Sequence, residues 1–220
     1  MKTFLVLISA SAILMAIVPA SAQNRIGVIG GVNLAKFEVS EVEPEPEIDN
    51  RTGFGIGGII DLKIAPTLTL RLAPMYLQKG AKGTEEDPTV GTIDVEFKLD
   101  YLEVPVFLKL GLGGFYVMGG PTLGLNLKSK ISAEAVDQGL TIDIDIDDAI
   151  KTFDIGFGVG GGFNIPMGLN TLFVEGRYIL GLANIAEAGG DGTGDEVTIE
   201  GKVKNRGIQV MAGITFPLGL

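Results

Sequence analysis

Five charged residues lie inside stretches that otherwise alternate apolar with small or polar residues. They are Arg71, Glu103, Lys109, Glu175 and Arg177. If these stretches are strands, a period of two places each charge on the face opposite the aliphatic side chains. A charge in a low-dielectric interior needs a partner, because an unpaired one is strongly penalised. We therefore expect a lumen charge network that fills the interior of a barrel, with a selectivity lining or proton path as the second hypothesis.

Catalysis is not indicated by the residue types present. The chain contains neither histidine nor cysteine, so the usual general base and the thiol nucleophile are missing. After the N-terminal 22 residues, serine occurs only at Ser40, Ser129 and Ser132, at loop or strand ends. The formal net charge of −10 also opposes a nucleic-acid partner, since such a partner requires a basic footprint. We predict a protein that is not an enzyme and carries no cofactor.

The carboxylates are concentrated in a few long segments. Of the 27 acidic residues, 22 fall in four of them. Those segments are 37–52, 81–96, 129–150 and 184–203. The alternate connections are short and uncharged, at 65–66, 111–114 and 166–170. Long loops at one end and tight turns at the other are typical of a β-barrel that spans an outer membrane. In such barrels the long loops are extracellular, so both termini are expected in the periplasm.

Two of the acidic segments contain carboxylates at regular spacing. Asp143, Asp145 and Asp147 alternate with isoleucines, which predicts that this loop continues as a strand with the three acids on one face. Asp191 and Asp195 lie among glycines. Hard oxygen ligands on a flexible backbone are what Ca²⁺ prefers, yet neither segment has the full spacing of a calcium motif. A solvated, repulsive surface is the first interpretation, and a weak divalent-cation site is the alternative. An extracellular ligand or protein is a further possible partner of these loops.

Basic residues cluster where the predicted strands meet the acidic segments. This set comprises Lys36, Lys79, Lys128, Lys151, Lys204 and Arg206. Such a rim is expected either to bind lipid phosphates at the outer interface or to balance the neighbouring acids, and the two interpretations are compatible.

The N-terminus resembles an export signal. Lys2 precedes an apolar run from Phe4 to Val18, and Ala20-Ser21-Ala22 matches a small-x-small cleavage site. This pattern predicts a cleaved signal peptide over 1–22 and one barrel domain over 23–220, with an uncleaved anchor as the rival. The apolar run is short for a membrane-spanning helix.

Eight strands can be drawn along the remaining chain. They are 25–36, 53–65, 67–80, 97–110, 115–128, 151–165, 171–183 and 204–217. Their polar face carries charges of both signs, at Asp61, Lys63, Arg71, Asp100, Glu103, Lys109, Asp154, Glu175 and Arg177. The strands also contain many of the 33 glycines, as a packed polar lumen requires and a solvated surface does not. The mean hydropathy of +0.37 is also high for a soluble domain. Together, the charged polar face, the strand glycines and the hydropathy favour an all-β, eight-stranded antiparallel up-and-down transmembrane β-barrel over a soluble ligand-carrying barrel.

Two motifs carry a family resemblance. Leu77-Gln78-Lys79-Gly80-Ala81-Lys82 is followed by Leu99-Asp100-Tyr101-Leu102-Glu103-Val104-Pro105-Val106. This arrangement resembles the outer membrane β-barrel domain family, whose members are described as porin-family or PorT-like proteins. The resemblance implies an integral barrel in the cell outer membrane of a diderm bacterium, surrounded by lipid and inserted by the barrel-assembly machinery. One departure is the C-terminus, because the chain continues past the aromatic Phe216 to Leu220.

The function expected from these features is structural or binding, through the acidic loops. A narrow channel or a secretion accessory is the alternative. An eight-stranded barrel encloses an interior just wide enough for side chains to fill, which disfavours a wide aqueous pore.

Overall fold

A computed structural model describes residues 24–40, 48–87, 91–135, 139–186 and 201–218. The predicted signal peptide, 1–22, lies outside these residues. The described chain forms ten strands and one 3-10 turn, Asp147–Ala149. The strands are β1 Arg25–Ser40, β2 Asp49–Ala65, β3 Leu68–Leu72, β4 Met75–Asp87, β5 Gly91–Leu112, β6 Phe115–Ala135, β7 Leu140–Asp145, β8 Phe153–Met167, β9 Asn170–Gly181 and β10 Lys202–Pro217. No described helix is long and apolar enough to cross a membrane.

The strands pair into a closed antiparallel ring. Following the pairings from β1 leads through β2, the β3–β4 pair, β5, β6, β8, β9 and β10, and β10 pairs back onto β1. The closing ladder is long, running from Arg25 opposite Pro217 to Ser40 opposite Lys202. Counting β3 and β4 as one interrupted strand, the barrel has eight strands, and the predicted fold class is confirmed.

The third barrel strand is broken, where the sequence predicts a continuous strand over 67–80. Ala73 and Pro74 separate β3 from β4, and both pieces lie between β2 and β5. Proline has no N–H to give to the ladder, so it interrupts the pairing. Two backbone hydrogen bonds still hold the break in place, from Gly58 N to Pro74 O and from Ala73 N to Pro105 O.

The two faces of the barrel wall are sharply different. The outward face is aliphatic and aromatic and remains exposed, for example at Val28, Ile56, Leu123 and Ile208. The inward face is buried and, in the described part of the chain, includes nine charged residues, among them Arg71, Glu103 and Glu175. A barrel with its apolar side chains outside and its polar side chains inside matches a lipid environment, and is the reverse of a soluble barrel.

A bulge changes the facing of residues near the loop end of β6. Tyr101 pairs with Asn126, whereas its neighbour Asp100 pairs with Lys128, so Leu127 is an extra residue in β6. A one-residue insertion exchanges the two faces beyond it. Asp100 itself lies between the inward Leu99 and Tyr101 and therefore faces outward, so its predicted place among the inward charges is wrong.

Two of the acidic segments form paired strands over their described residues. β4 and β5 remain paired from Lys82 opposite Glu96 up to Asp87 opposite Gly91, so the described part of 81–96 consists of two paired strands. The alternation over 140–145 is a strand as predicted, β7, which pairs with the loop-end part of β6. The paired parts of these strands extend beyond the eight-stranded ring, and their carboxylates lie on these extensions. The strand pairing supplies hydrogen bonds to the backbone N–H and C=O groups of the extensions.

Candidate functional site

A central ionic cluster occupies the middle of the lumen. Arg71 makes a bidentate pair with Asp61, with Nε–Oδ1 and Nη2–Oδ2 distances of 2.7 Å. Its Nη1 lies 2.7 Å from Glu175 Oε2. Arg177 binds the other oxygen of the same carboxylate, with Nη2–Oε1 at 2.5 Å. The Tyr116 hydroxyl donates to Glu175 Oε2. Two arginines and two carboxylates thus form a neutral, fully packed unit.

Aromatic rings and glycines set the space around this cluster. The Arg71 guanidinium lies 4.7 Å from the Phe173 ring centre, and that of Arg177 lies 5.3 Å from the Phe107 ring centre. The inward positions of β8 include Gly158, where a Cβ would sit 2.7 Å from Phe107 Cζ. The glycine at this inward position of β8 therefore leaves room for Phe107 of β5 and Ile179 of β9.

A second ionic cluster lies nearer the loop end, around Lys79. Its Nζ is 2.5 Å from Glu103 Oε2 and 3.1 Å from Asp154 Oδ2, and it lies 4.6 Å from the Tyr101 ring centre. Asn205 donates to the same Asp154 oxygen at 2.8 Å. The expected place of Lys79 in a lipid-phosphate rim is therefore wrong. It shares the inward face of the third barrel strand with Arg71, because the even spacing of the two residues is preserved through the break at Pro74.

Lys109 belongs to neither cluster. Its ammonium lies 3.7 Å from the Tyr116 ring centre and 3.3 Å from Asn164 Oδ1, on the side of the short turns. The structure thus groups Arg71, Glu175 and Arg177 in one cluster, places Glu103 in another, and leaves Lys109 apart. Asp61, Lys79 and Asp154 complete the clusters. The period-two pattern places all three on the polar face, but nothing in the sequence identifies their partners.

An apolar cap closes the loop end above the second cluster. Residues 146–150, which follow β7, and residues 182–186, which follow β9, are joined by a bridge between Ile150 and Ala186. The cap buries Phe37, Leu99, Ile146, Ile150, Ile185 and Val203. Tyr101 belongs both to this cap and to the surroundings of Lys79, so the cap packs directly on the second cluster.

The three aspartates near the end of the β6–β7 hairpin do not converge. Asp143 accepts a hydrogen bond from the Ser132 hydroxyl, which lowers the pKa of the Asp143 carboxyl. Asp145 lies 3.6 Å from Lys130 Nζ. Asp147 accepts from Ser129 N at 2.5 Å and belongs to the 3-10 turn. The prediction that all three share one strand face is wrong, because β7 ends at Asp145. Asp191 and Asp195 lie outside the described residues. Among the described residues, no group of three His, Cys, Asp or Glu could hold a metal ion.

The remaining rim residues lie near the loop end. Lys36 is exposed on β1, and Arg206 lies opposite it on β10 and pairs with Glu38. Lys128 is exposed beside the bulge, and Lys151 and Lys204 are half-buried. The structure therefore places Lys36, Lys128, Lys151, Lys204 and Arg206 near one end of the barrel.

A closed barrel with an apolar outer face and a packed ionic lumen defines a class, that of integral outer-membrane β-barrels. The model of the outer membrane protein beta-barrel domain family matches residues 21–187, and the chain belongs to that family. The protein is therefore a protein of the cell outer membrane.

Several solved structures are similar to this chain. Neisserial surface protein A is 17% identical, with 88% of this chain and 97% of that chain covered and a TM-score of 0.45. Ail of Yersinia pestis, in complex with the heparin analogue sucrose octasulfate, is 14% identical, with coverages of 88% and 99% and a TM-score of 0.43. OprG of Pseudomonas aeruginosa is 12% identical, with coverages of 90% and 97% and a TM-score of 0.41. No curated protein sequence matches the chain.

Proposed function

We propose that this protein is a non-conducting outer-membrane barrel that has a structural or binding role at its loop end. The observation that supports this most directly is the filling of the lumen. Arg71 is 1% exposed and Glu103 and Glu175 are 0% and 2% exposed, and the apolar cap lies above them. An ion that crossed the barrel would have to displace both ionic clusters and the cap.

The projecting sheet supports a binding role. All six residues of β7 are exposed, and within the part of the chain that the structure describes β7 pairs only with β6. An unpaired edge can accept a strand from a partner. Thr141, Asp143 and Asp145 of β7 lie opposite Glu134, Ser132 and Lys130 of β6 on one face. Because this face carries three carboxylates and one lysine, a partner with basic side chains would fit it. Lipid phosphates remain the proposed partners of the cations near this end.

An enzymatic role is not part of this proposal. Each carboxylate of the two ionic clusters is engaged by an arginine or a lysine. A carboxylate held in this way is stabilised as an ion-pair partner and is poorly placed to act as a general base.

Conductance measurements test the closed lumen. The folded protein in planar lipid bilayers should show no steady openings, because the two ionic clusters and the cap fill the barrel. Insertion should be verified in the same sample by the electrophoretic band shift between folded and unfolded barrel. Steady, ion-selective openings would instead favour the narrow channel.

Thiol labelling tests the orientation in the membrane. The chain has no cysteine, so Asp148→Cys and Leu169→Cys each introduce the sole thiol, at the loop end and at a short turn. Leu169 is 80% exposed, so a cysteine at this position is as accessible to the reagent as one at position 148 once the reagent reaches that side of the membrane. In intact cells an impermeant maleimide should label the cysteine at 148 and reach that at 169 only after lysis. The opposite pattern would place the loop end in the periplasm and remove the basis for a surface-binding role.

A further inference from the structure

The turn end of the barrel holds an open cavity. Below the central cluster, a cavity of about 400 Å³ opens between the short turns. Its wall includes Arg25, Lys63, Thr69, Lys109, Asn164 and Thr215. This volume lies within the range of about 300–1,000 Å³ that is typical of small-molecule sites. In contrast to the loop end, no apolar cap covers it among the described residues.

The charges of this cavity are not balanced by the protein. Asp61 also lines it, but both oxygens of Asp61 are bound by Arg71, and the central cluster is already neutral. Within the described part of the chain, Arg25, Lys63 and Lys109 make no ion pair with a carboxylate. Three cations therefore surround one concave space, while the barrel elsewhere pairs its buried charges closely.

Lys109 is the most informative of the three. It is only 7% exposed, so its ammonium is largely removed from water. Its neighbours are the amide oxygen of Asn164 and the ring of Tyr116, and these offset the loss of hydration only in part. A buried cation without a carboxylate is costly unless another anion reaches it.

Arg25 of β1 and Lys63 of β2 supply the other two cations of the cavity wall. Arg25 donates from Nε to Thr215 Oγ1 and from Nη2 to Thr215 O and Leu169 O, all at 2.9 Å. These acceptors are neutral, so they orient the guanidinium without compensating its charge. Lys63 lies opposite Thr69 across the β2–β3 ladder, which places a hydroxyl donor beside the ammonium.

We propose that this cavity is a binding site for an anion of the phosphate class, either free inorganic phosphate or a small phosphate monoester. A doubly charged oxyanion can accept hydrogen bonds from several donors at once, and contacts with charged donors are the strong ones. Two lysines, one arginine and threonine hydroxyls around a single space match this chemistry better than that of chloride or of a single carboxylate. This site is independent of what the loop end binds.

The test uses the full barrel folded in a detergent without phosphate, such as an amine oxide. Inorganic phosphate, glycerol phosphate, succinate and chloride are each titrated by calorimetry. The native barrel should bind inorganic phosphate or glycerol phosphate saturably, and at least tenfold more tightly than succinate or chloride. Whichever of the two phosphates binds more tightly identifies the source as free phosphate or an ester.

Two variants and one control locate the site. Lys63→Gln should weaken phosphate binding by about tenfold, the size expected for one lost charge-assisted contact. Lys109→Met should weaken phosphate binding at least as much. Because Lys109 is buried, its substitution could impair folding, and in that case Lys63→Gln alone decides the test. Lys36→Gln removes the same charge at the loop end and should leave binding unchanged. The proposal is overturned if Lys63→Gln binds phosphate as tightly as the native barrel, or if succinate or chloride binds as tightly as phosphate.

Discussion

Replacing Glu175 by alanine should lower the free energy of unfolding by about 3–5 kcal/mol, the usual cost of removing one partner from a buried ion pair. Glu175 is the hub of the central cluster, since it contacts Arg71, Arg177 and Tyr116. Without it, Arg177 has no carboxylate in that cluster and Arg71 keeps only Asp61. Urea unfolding in lipid vesicles, followed by the electrophoretic band shift, measures the change without relying on tryptophan, which the chain lacks.

Two comparisons isolate the cause of this loss. Glu175→Gln keeps the side-chain volume but removes the charge, so it should destabilise less than alanine and still clearly more than a surface change. Glu134→Ala removes a carboxylate from the exposed face of β6 and should shift stability by less than about 0.5 kcal/mol. Equal unfolding midpoints for Glu175→Ala and Glu134→Ala would contradict the role of the central cluster in holding the barrel together.

Replacing Gly213 by alanine should impair folding severely. A Cβ at Gly213 would lie 2.2 Å from Val28 O and 2.5 Å from Phe173 Cζ. The first contact is with backbone across the closing ladder between β1 and β10, so it can be relieved only by separating the strands that close the barrel. We expect a loss at or above the upper end of the usual overpacking range of about 1–3 kcal/mol, together with a lower yield of folded barrel.

Gly176→Ala is the matched control for this substitution. Gly176 also lies in a barrel strand, but a Cβ there would meet nothing within 4 Å, because the position faces outward. Its folded yield and unfolding midpoint should therefore be close to those of the native protein. If both glycine variants behave alike, strand propensity and not the close approach of β1 and β10 governs the effect.

The sequence by itself predicts which face of each strand is polar. Along β9 the alternation of Phe173, Glu175, Arg177 and Ile179 with aliphatic neighbours separates inside from outside, and all four are buried in the structure. A period of two is a local property of the extended chain, so it can be read without knowing any partner strand. The same reasoning predicts β7, the acidic loop end and the short turns.

The sequence does not predict where an irregularity interrupts this period. The break at Pro74 leaves Lys79 on the inward face. The bulge at Leu127, in contrast, exchanges the inward and outward positions of the residues that follow it in β6. Both depend on how a strand fits its neighbours, and a run of residue types carries little information about that fit. The misplacement of Lys79 in the lipid-phosphate rim therefore comes from reading a strand end without its partner strands. Asp100 is a different case, because its position between the inward Leu99 and Tyr101 already places it on the outward face.

Only the closed barrel decides which charges meet. Arg71 and Glu175 are 104 residues apart, and Lys79 and Asp154 are 75 apart, yet each pair lies within ion-pair distance. Periodicity assigns a residue to a face, but the height at which it lies along the barrel depends on the register of every strand between it and its partner. That register is set by the pairing of β1 with β10, which closes the ring, and by glycines whose missing side chains leave space for large residues on neighbouring strands. For this reason the sequence could predict a charged lumen, while the separation of Lys109 from the paired clusters appears only in the tertiary structure.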